Sequence, residues 1–266
     1  MNVFFKELTS YRKALFFWSL GMIFLIGSGM AKFAALETSG QSINTILNQF
    51  PKDFQIIFGL SGFDLSKTSG YFGVLFLYIG LMATVHAVLI GSDIIAKEER
   101  DKTSEFLFVK PMSRARIMSA KLAAGLVNLV IFNLVTLFSS VYFVSYFNKH
   151  GPAPIHDVLV LMAGLFMLQL LFFCLGAAVA AVSSKPKTSA SVATAILLVT
   201  FILSFMVDIN GSLANLKYLT PFKYFDAHTI IATGKLDLTY VIISLVVIMC
   251  LLGATYTVYS KRDLSV

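Results

Sequence analysis

Residues 158–184 read VLVLMAGLFMLQLLFFCLGAAVAAVSS, a stretch of 27 residues without one Asp, Glu, Lys or Arg. A helix needs about 20 apolar residues to cross the hydrocarbon core of a bilayer, and a strand of a membrane barrel needs only roughly 9–11, so the stretch predicts a spanning helix. A charge at the centre of such a helix costs at least roughly 2.5–3.5 kcal/mol, which makes uncharged windows the informative signal. Five more occur, at 14–31, 68–92, 122–148, 188–207 and 238–260. Composition agrees, with 57% hydrophobic residues, 25 Phe and a mean hydropathy of +0.81. The expected fold is an all-α polytopic membrane protein. Its single domain over 1–266 has six transmembrane helices, at about 14–34, 70–95, 117–147, 157–183, 188–207 and 238–260.

The first window follows Lys6, Arg12 and Lys13 as a signal peptide would. No small-residue cleavage site stands before Lys32 and five spans follow, so it is read as a retained helix. Ahead of it, Phe4, Leu8, Tyr11 and Leu15 recur at helical spacing among polar residues. This predicts an interfacial helix over 1–13 that turns into the membrane, with a frayed basic tail as the alternative. Six spans put both termini on one side. That side carries Lys6, Arg12, Lys13, Lys185, Lys187, Lys261, Arg262 and seven bases between 97 and 121, which is 14 of the 21 Lys and Arg. Basic loops stay in the cytoplasm, so both termini are expected there. The net charge of +7 is then a topology signal, and no basic module with interleaved aromatics points to nucleic acid. Cys174 and Cys250 both lie inside apolar windows, and neither a disulfide framework nor a metal site is expected.

On the opposite side, Ile43, Ile46, Leu47 and Phe50, then Pro51, then Phe54, Ile57 and Phe58 predict two short amphipathic helices in 36–67. GFDLSKT (62–68) resembles a phosphate loop, but Ser66 stands where the glycine before the lysine is required, so it is no nucleotide site. In 208–237, Pro221 with aromatics at 222, 224 and 225 predicts short outer-side helices between spans five and six. The end of the chain, KRDLSV, is expected to add no catalytic module.

The densest charge lies in IIAKEERDKTSEFLFVKPMSRARIMSAK (94–121). Glu98 and Lys102 stand four apart in the favourable order for a helical pair, and Thr103, Phe106 and Leu107 share a face, so a short helix with an apolar knob is expected. Pro111 stops it, and Ser113 is a cap for the next span. By charge alone the stretch reads first as a solvated loop whose bases set topology.

The order of residues goes further. This stretch resembles the cytoplasmic segment between the second and third helices of the ABC type-2 permease family, the membrane subunits of bacterial ATP-driven exporters. Thr103, Glu105, Pro111, Ser113, Arg114 and Lys121 match its pattern, while Lys102 replaces a glycine. The N-terminal segment, the six spans and Pro-Phe-x-Tyr-Phe at 221–225 extend the resemblance over nearly the whole chain. The resemblance implies that 96–113 is a coupling helix docking in a groove of a separate ATPase. Glu98, Glu99, Arg100, Thr103, Glu105, Phe106, Leu107, Pro111 and Arg114 would form that contact. It also implies a second permease copy or paralogue, a bacterial plasma membrane, and ATP with Mg held by the partner ATPase. This chain would hold no cofactor and be no enzyme itself.

Polar residues inside spans are the remaining candidates. Tyr78, Met82, His86 and Asp93 lie along one face of the second helix, and Thr200, Ser204 and Asp208 along one face of the fifth; either face would line a pathway or a dimer seam. The plainer alternatives are a neutral His86 bonded to a neighbouring helix, and Thr200 and Ser204 bonded back to their own helix. Asn128, Asn133 and Gln169 are read as interhelical bonds, and the small residues of 174–184 as a close helix crossing. Competing functions are a self-sufficient secondary transporter or channel, for which His86 is the sole support, and a membrane-embedded enzyme, for which no carboxylate pair or His cluster is found.

Overall fold

The structure is a computed structural model and describes residues 3–38, 50–101, 113–149, 151–183 and 185–261. Its six long helices are α1 (Val3–Thr38), α3 (Thr68–Arg100), α4 (Arg114–Phe147), α5 (Ile155–Val182), α6 (Pro186–Ile209) and α8 (Leu238–Lys261). All six are long and apolar enough to cross a membrane, and each of the six uncharged windows coincides with one of them. The short helix α2 (Lys52–Ile57) precedes α3. Between α6 and α8 the chain makes two 3-10 segments, Gly211–Leu219 and Pro221–Lys223, and the short helix α7 (Ala227–Thr233). No strand occurs among the described residues.

Local chemistry sets the helix ends. Ser113 caps α4, its hydroxyl oxygen accepting from the Arg116 N–H at 3.3 Å, as its position after Pro111 predicts. Pro186 opens α6, where its missing N–H goes unused, and Gly234 closes α7 at φ 67 in the left-handed region. The N-terminal segment departs from expectation. Instead of an interfacial helix that turns at residue 13, α1 is unbroken from Val3 to Thr38. At 1.5 Å per residue it is about 54 Å long, far more than a bilayer core of ~30 Å, so it projects beyond the hydrocarbon. No proline interrupts it, and its projecting turns are held by Glu7 and Tyr11 against the end of α3.

Helices α3 and α5 form the centre. Most of their apolar windows is buried, 67% and 61%, against 17% for both α6 and α8. They cross with their backbones nearly touching: a Cβ at Gly91 would lie 2.1 Å from the Phe173 carbonyl oxygen, and one at Gly176 would lie 2.4 Å from that of Val88. This is the close crossing expected of the small residues in 174–184. Asn133 donates to Gln169 at 3.0 Å and links α4 to α5, again as expected. Asn128 is different. It sits on another face of α4, is buried, and its amide has no hydrogen-bond partner. The outer helices turn large apolar side chains outward, among them Phe16, Phe17 and Phe24 of α1, Val199 of α6 and Met249 of α8.

Candidate functional site

The end of the bundle where α1 begins, α3 stops and α4 starts is built around buried charge. Lys121, in the second turn of α4, is fully buried. Its ammonium donates to the Ile94 carbonyl at 2.8 Å and to Glu98 Oε2 at 2.5 Å, and lies 3.5 Å from Glu7 Oε1. Two hydrogen bonds and one ion pair thus hold the ammonium. Glu7, 2% exposed, also takes the ammonium of Lys97, which lies 4.9 Å from the centroid of the Tyr11 ring. The Tyr11 hydroxyl donates to Asp93 Oδ2 at 2.7 Å, and Asp93 Oδ1 receives Arg100, whose Nε reaches Asp101 Oδ1 at 3.0 Å.

Two largely buried cations, Lys97 and Lys121, thus meet two largely buried carboxylates, Glu7 and Glu98, while at the more exposed rim Arg100 meets Asp93 and Asp101. A buried ion set is tolerable when every member is paired and hydrogen-bonded, and removing one partner then leaves an uncompensated charge. The cluster joins three helices. Two of them, α3 and α4, are the flanks from which residues 102–112 emerge. The arrangement offers no acid–base or metal chemistry of its own; among the described residues no group of His, Cys, Asp and Glu is placed to hold a metal.

The expected site residues divide accordingly. Glu98 and Arg100 are engaged within the chain, Glu98 by Lys121 and Arg100 by Asp93. Glu99 lies on the same final turn of α3, its Oε1 out of solvent, and Arg114 opens α4. Thr103, Glu105, Phe106, Leu107 and Pro111 lie outside the described residues.

The face of Tyr78, Met82, His86 and Asp93 is largely covered by α1. A Cβ at Gly21 would meet Met82 at 3.0 Å, Trp18 packs edge-on to His86, and Tyr11 binds Asp93. Within one copy of the chain this face is therefore a packing seam, not an open pathway. His86 is 0% exposed, 4.2 Å from the Phe132 ring, and neither ring nitrogen has a hydrogen-bond partner, so the expected bond to a neighbouring helix is not made. Tyr78 is exposed, its hydroxyl 3.5 Å from the Phe58 carbonyl oxygen. On α6, Thr200 and Ser204 donate back to Leu197 and Phe201 at 2.8 and 2.6 Å, and Asp208 pairs with Lys223 at 2.6 Å.

Sequence reasoning missed Glu7. It is the only acid before Glu37, set among Lys6, Arg12 and Lys13 in a segment bound for a membrane. A lone acid in that position was the available sign of a buried partner.

Six helices long and apolar enough to span a membrane define an all-α polytopic membrane protein. Residues 1–264 match the family described as ABC-2 family transporter protein, and the chain belongs to it as a permease component of an ABC transporter. No curated protein matches the chain.

Proposed function

We propose that this chain is the membrane subunit of an ATP-driven exporter, working as a dimer with a second copy or a paralogue in a bacterial plasma membrane. A separate ATPase, which supplies ATP and Mg, docks from the cytoplasm on the connection between α3 and α4. The observation that carries this reading is the buried charge cluster. A push on a floppy loop is dissipated, whereas α3 and α4 are pinned to each other and to α1 at the points where the connection leaves them. Displacement of the connection is then passed to three spans together. Because Glu98 is committed to Lys121, docking falls to Thr103, Glu105, Phe106 and Leu107, while Glu98 acts from within. A secondary transporter needs an ionisable group on a wet path near the midplane, and His86 sits instead among aromatic rings.

The test pairs Glu105→Lys with Phe106→Ala. Neither change touches a span, so abundance and insertion stay at parental levels, while copurification of the ATPase and substrate-stimulated hydrolysis fall sharply, since mispaired charge at a desolvated contact costs several kcal/mol. Parental hydrolysis in the double variant makes 101–113 a solvated loop and ends the docking argument. Orientation is tested separately in a chain lacking both cysteines: Ser104→Cys resists a membrane-impermeant thiol reagent in intact cells, and Lys52→Cys reacts.

A further inference from the structure

The far end of the bundle, opposite the charge cluster, holds a half-open cavity of about 360 Å³ between the first turns of α3, the last turns of α6 and the segment before α7. That volume falls in the range of small-molecule sites. Its walls are aromatic, with Phe63, Phe76, Phe205, Phe222 and Phe225 all contributing. Its polar side holds Lys223 between two carboxylates, Asp208 at 2.6 Å and Asp226 at 3.6 Å, and the His228 imidazole, edge-on to Phe63, also lines it. Asp226 also accepts from the backbone and the hydroxyl of Thr229, which fixes its orientation.

Two features give this cavity a chemical preference. The carboxylates outnumber the ammonium two to one, and among the described residues Lys223 is the cation that pairs with either of them. The rings add to the same sign, since the face of a phenyl ring attracts cations. The second feature is Gly80. It lines the cavity and is buried, yet a Cβ built on it would meet nothing within 4 Å. A helix interior favours any ordinary residue over glycine, so a glycine facing empty space here keeps room that a side chain would fill.

We infer that this cavity binds a lipophilic organic cation: an apolar body lodged among the phenyl rings over Gly80, with its positive charge at Asp208 and Asp226. The inference goes beyond the exporter reading and does not need an ATPase. Two sources supply such chemistry, a free amphipathic cation and the ammonium of a lipid headgroup.

The test uses the purified chain in a neutral maltoside detergent, with radiolabelled tetraphenylphosphonium as the probe and its near-isosteric anion, tetraphenylborate, as the competitor that differs in charge sign. The chain binds the cation saturably, and the borate does not displace it. Gly80→Leu, which also improves helix propensity, abolishes the saturable component. Asp226→Asn weakens binding by about fivefold or more, and Lys223→Met, which leaves both carboxylates uncompensated, strengthens it by a similar factor. The gain in Lys223→Met is not an effect that misfolding produces. Equal competition by the borate, undiminished binding in Gly80→Leu, or weaker binding in Lys223→Met overturns the inference. Adding phosphatidylethanolamine then separates the sources. Loss of probe binding identifies the headgroup ammonium, and unchanged binding identifies a free cation, either outcome supporting a cation site.

Discussion

At one end of the bundle Lys97 and Lys121 meet Glu7 and Glu98 largely out of contact with water, with Arg100, Asp93 and Asp101 at a more exposed rim; at the other, two carboxylates share one ammonium at the edge of a cavity. Both are ion-pair clusters joining separate segments, but their surroundings make them different devices. Around Lys121 every charge is compensated within the chain, so nothing is left to attract a ligand, and the set fixes helices. Around Lys223 the compensation is incomplete and the walls are apolar, so the local field remains available to something else. Stoichiometry and sealing, rather than the presence of charge, separate a joint from a binding site.

The largest expected effect attacks the joint. Lys121→Met removes the cation facing Glu98 and should lower stability by about 3–5 kcal/mol, seen as loss of folded protein on heating in detergent. Adding Glu98→Gln should recover much of that loss, because the buried charge goes with it. If the double variant is no better than the single one, packing of the lysine stem rather than charge balance holds this end together. Gly176→Val comes next, since its side chain would be driven onto the Val88 carbonyl, with an expected cost of about 1–3 kcal/mol or more in the same assay.

Smaller effects sharpen the contrast. His86→Phe exchanges an imidazole without hydrogen bonds for a ring that suits its aromatic neighbours, and stability should stay within about 1 kcal/mol of the parent or rise. A marked drop would show that the imidazole has a bonded role. Smallest in stability is Asp208→Asn, whose half-exposed pair is worth under about 1 kcal/mol, although tetraphenylphosphonium binding should fall with it. Opposite rankings in the two assays, Lys121 dominating stability and Asp208 dominating cation binding, are what the comparison requires.

Much of this molecule was legible in one dimension. Uncharged windows too long for strands determined six spanning helices, because bilayer thickness sets a minimum length and a charge at the core is costly whatever the neighbours are. Ser113 after Pro111 determined where α4 begins, and the small residues of 174–184 marked a close crossing, since both are local requirements of backbone geometry. Which groups meet across the bundle was decided by the tertiary structure alone. Glu98 pairs with Lys121, which lies 23 residues away in sequence and reaches it only when α4 returns alongside α3. Glu7 is drawn into the same cluster from 90 residues before Lys97. The face running from Met82 to Asp93 follows from helical periodicity, yet periodicity does not say what covers a face. Packing of α1 turned it into a seam, and the position of the segment after α6 turned Asp208 into the edge of a cavity. Helix formation is dictated over a few residues by hydrogen bonds and solvent, whereas the partner of a side chain depends on how rods of similar length and polarity stack, which no local pattern records.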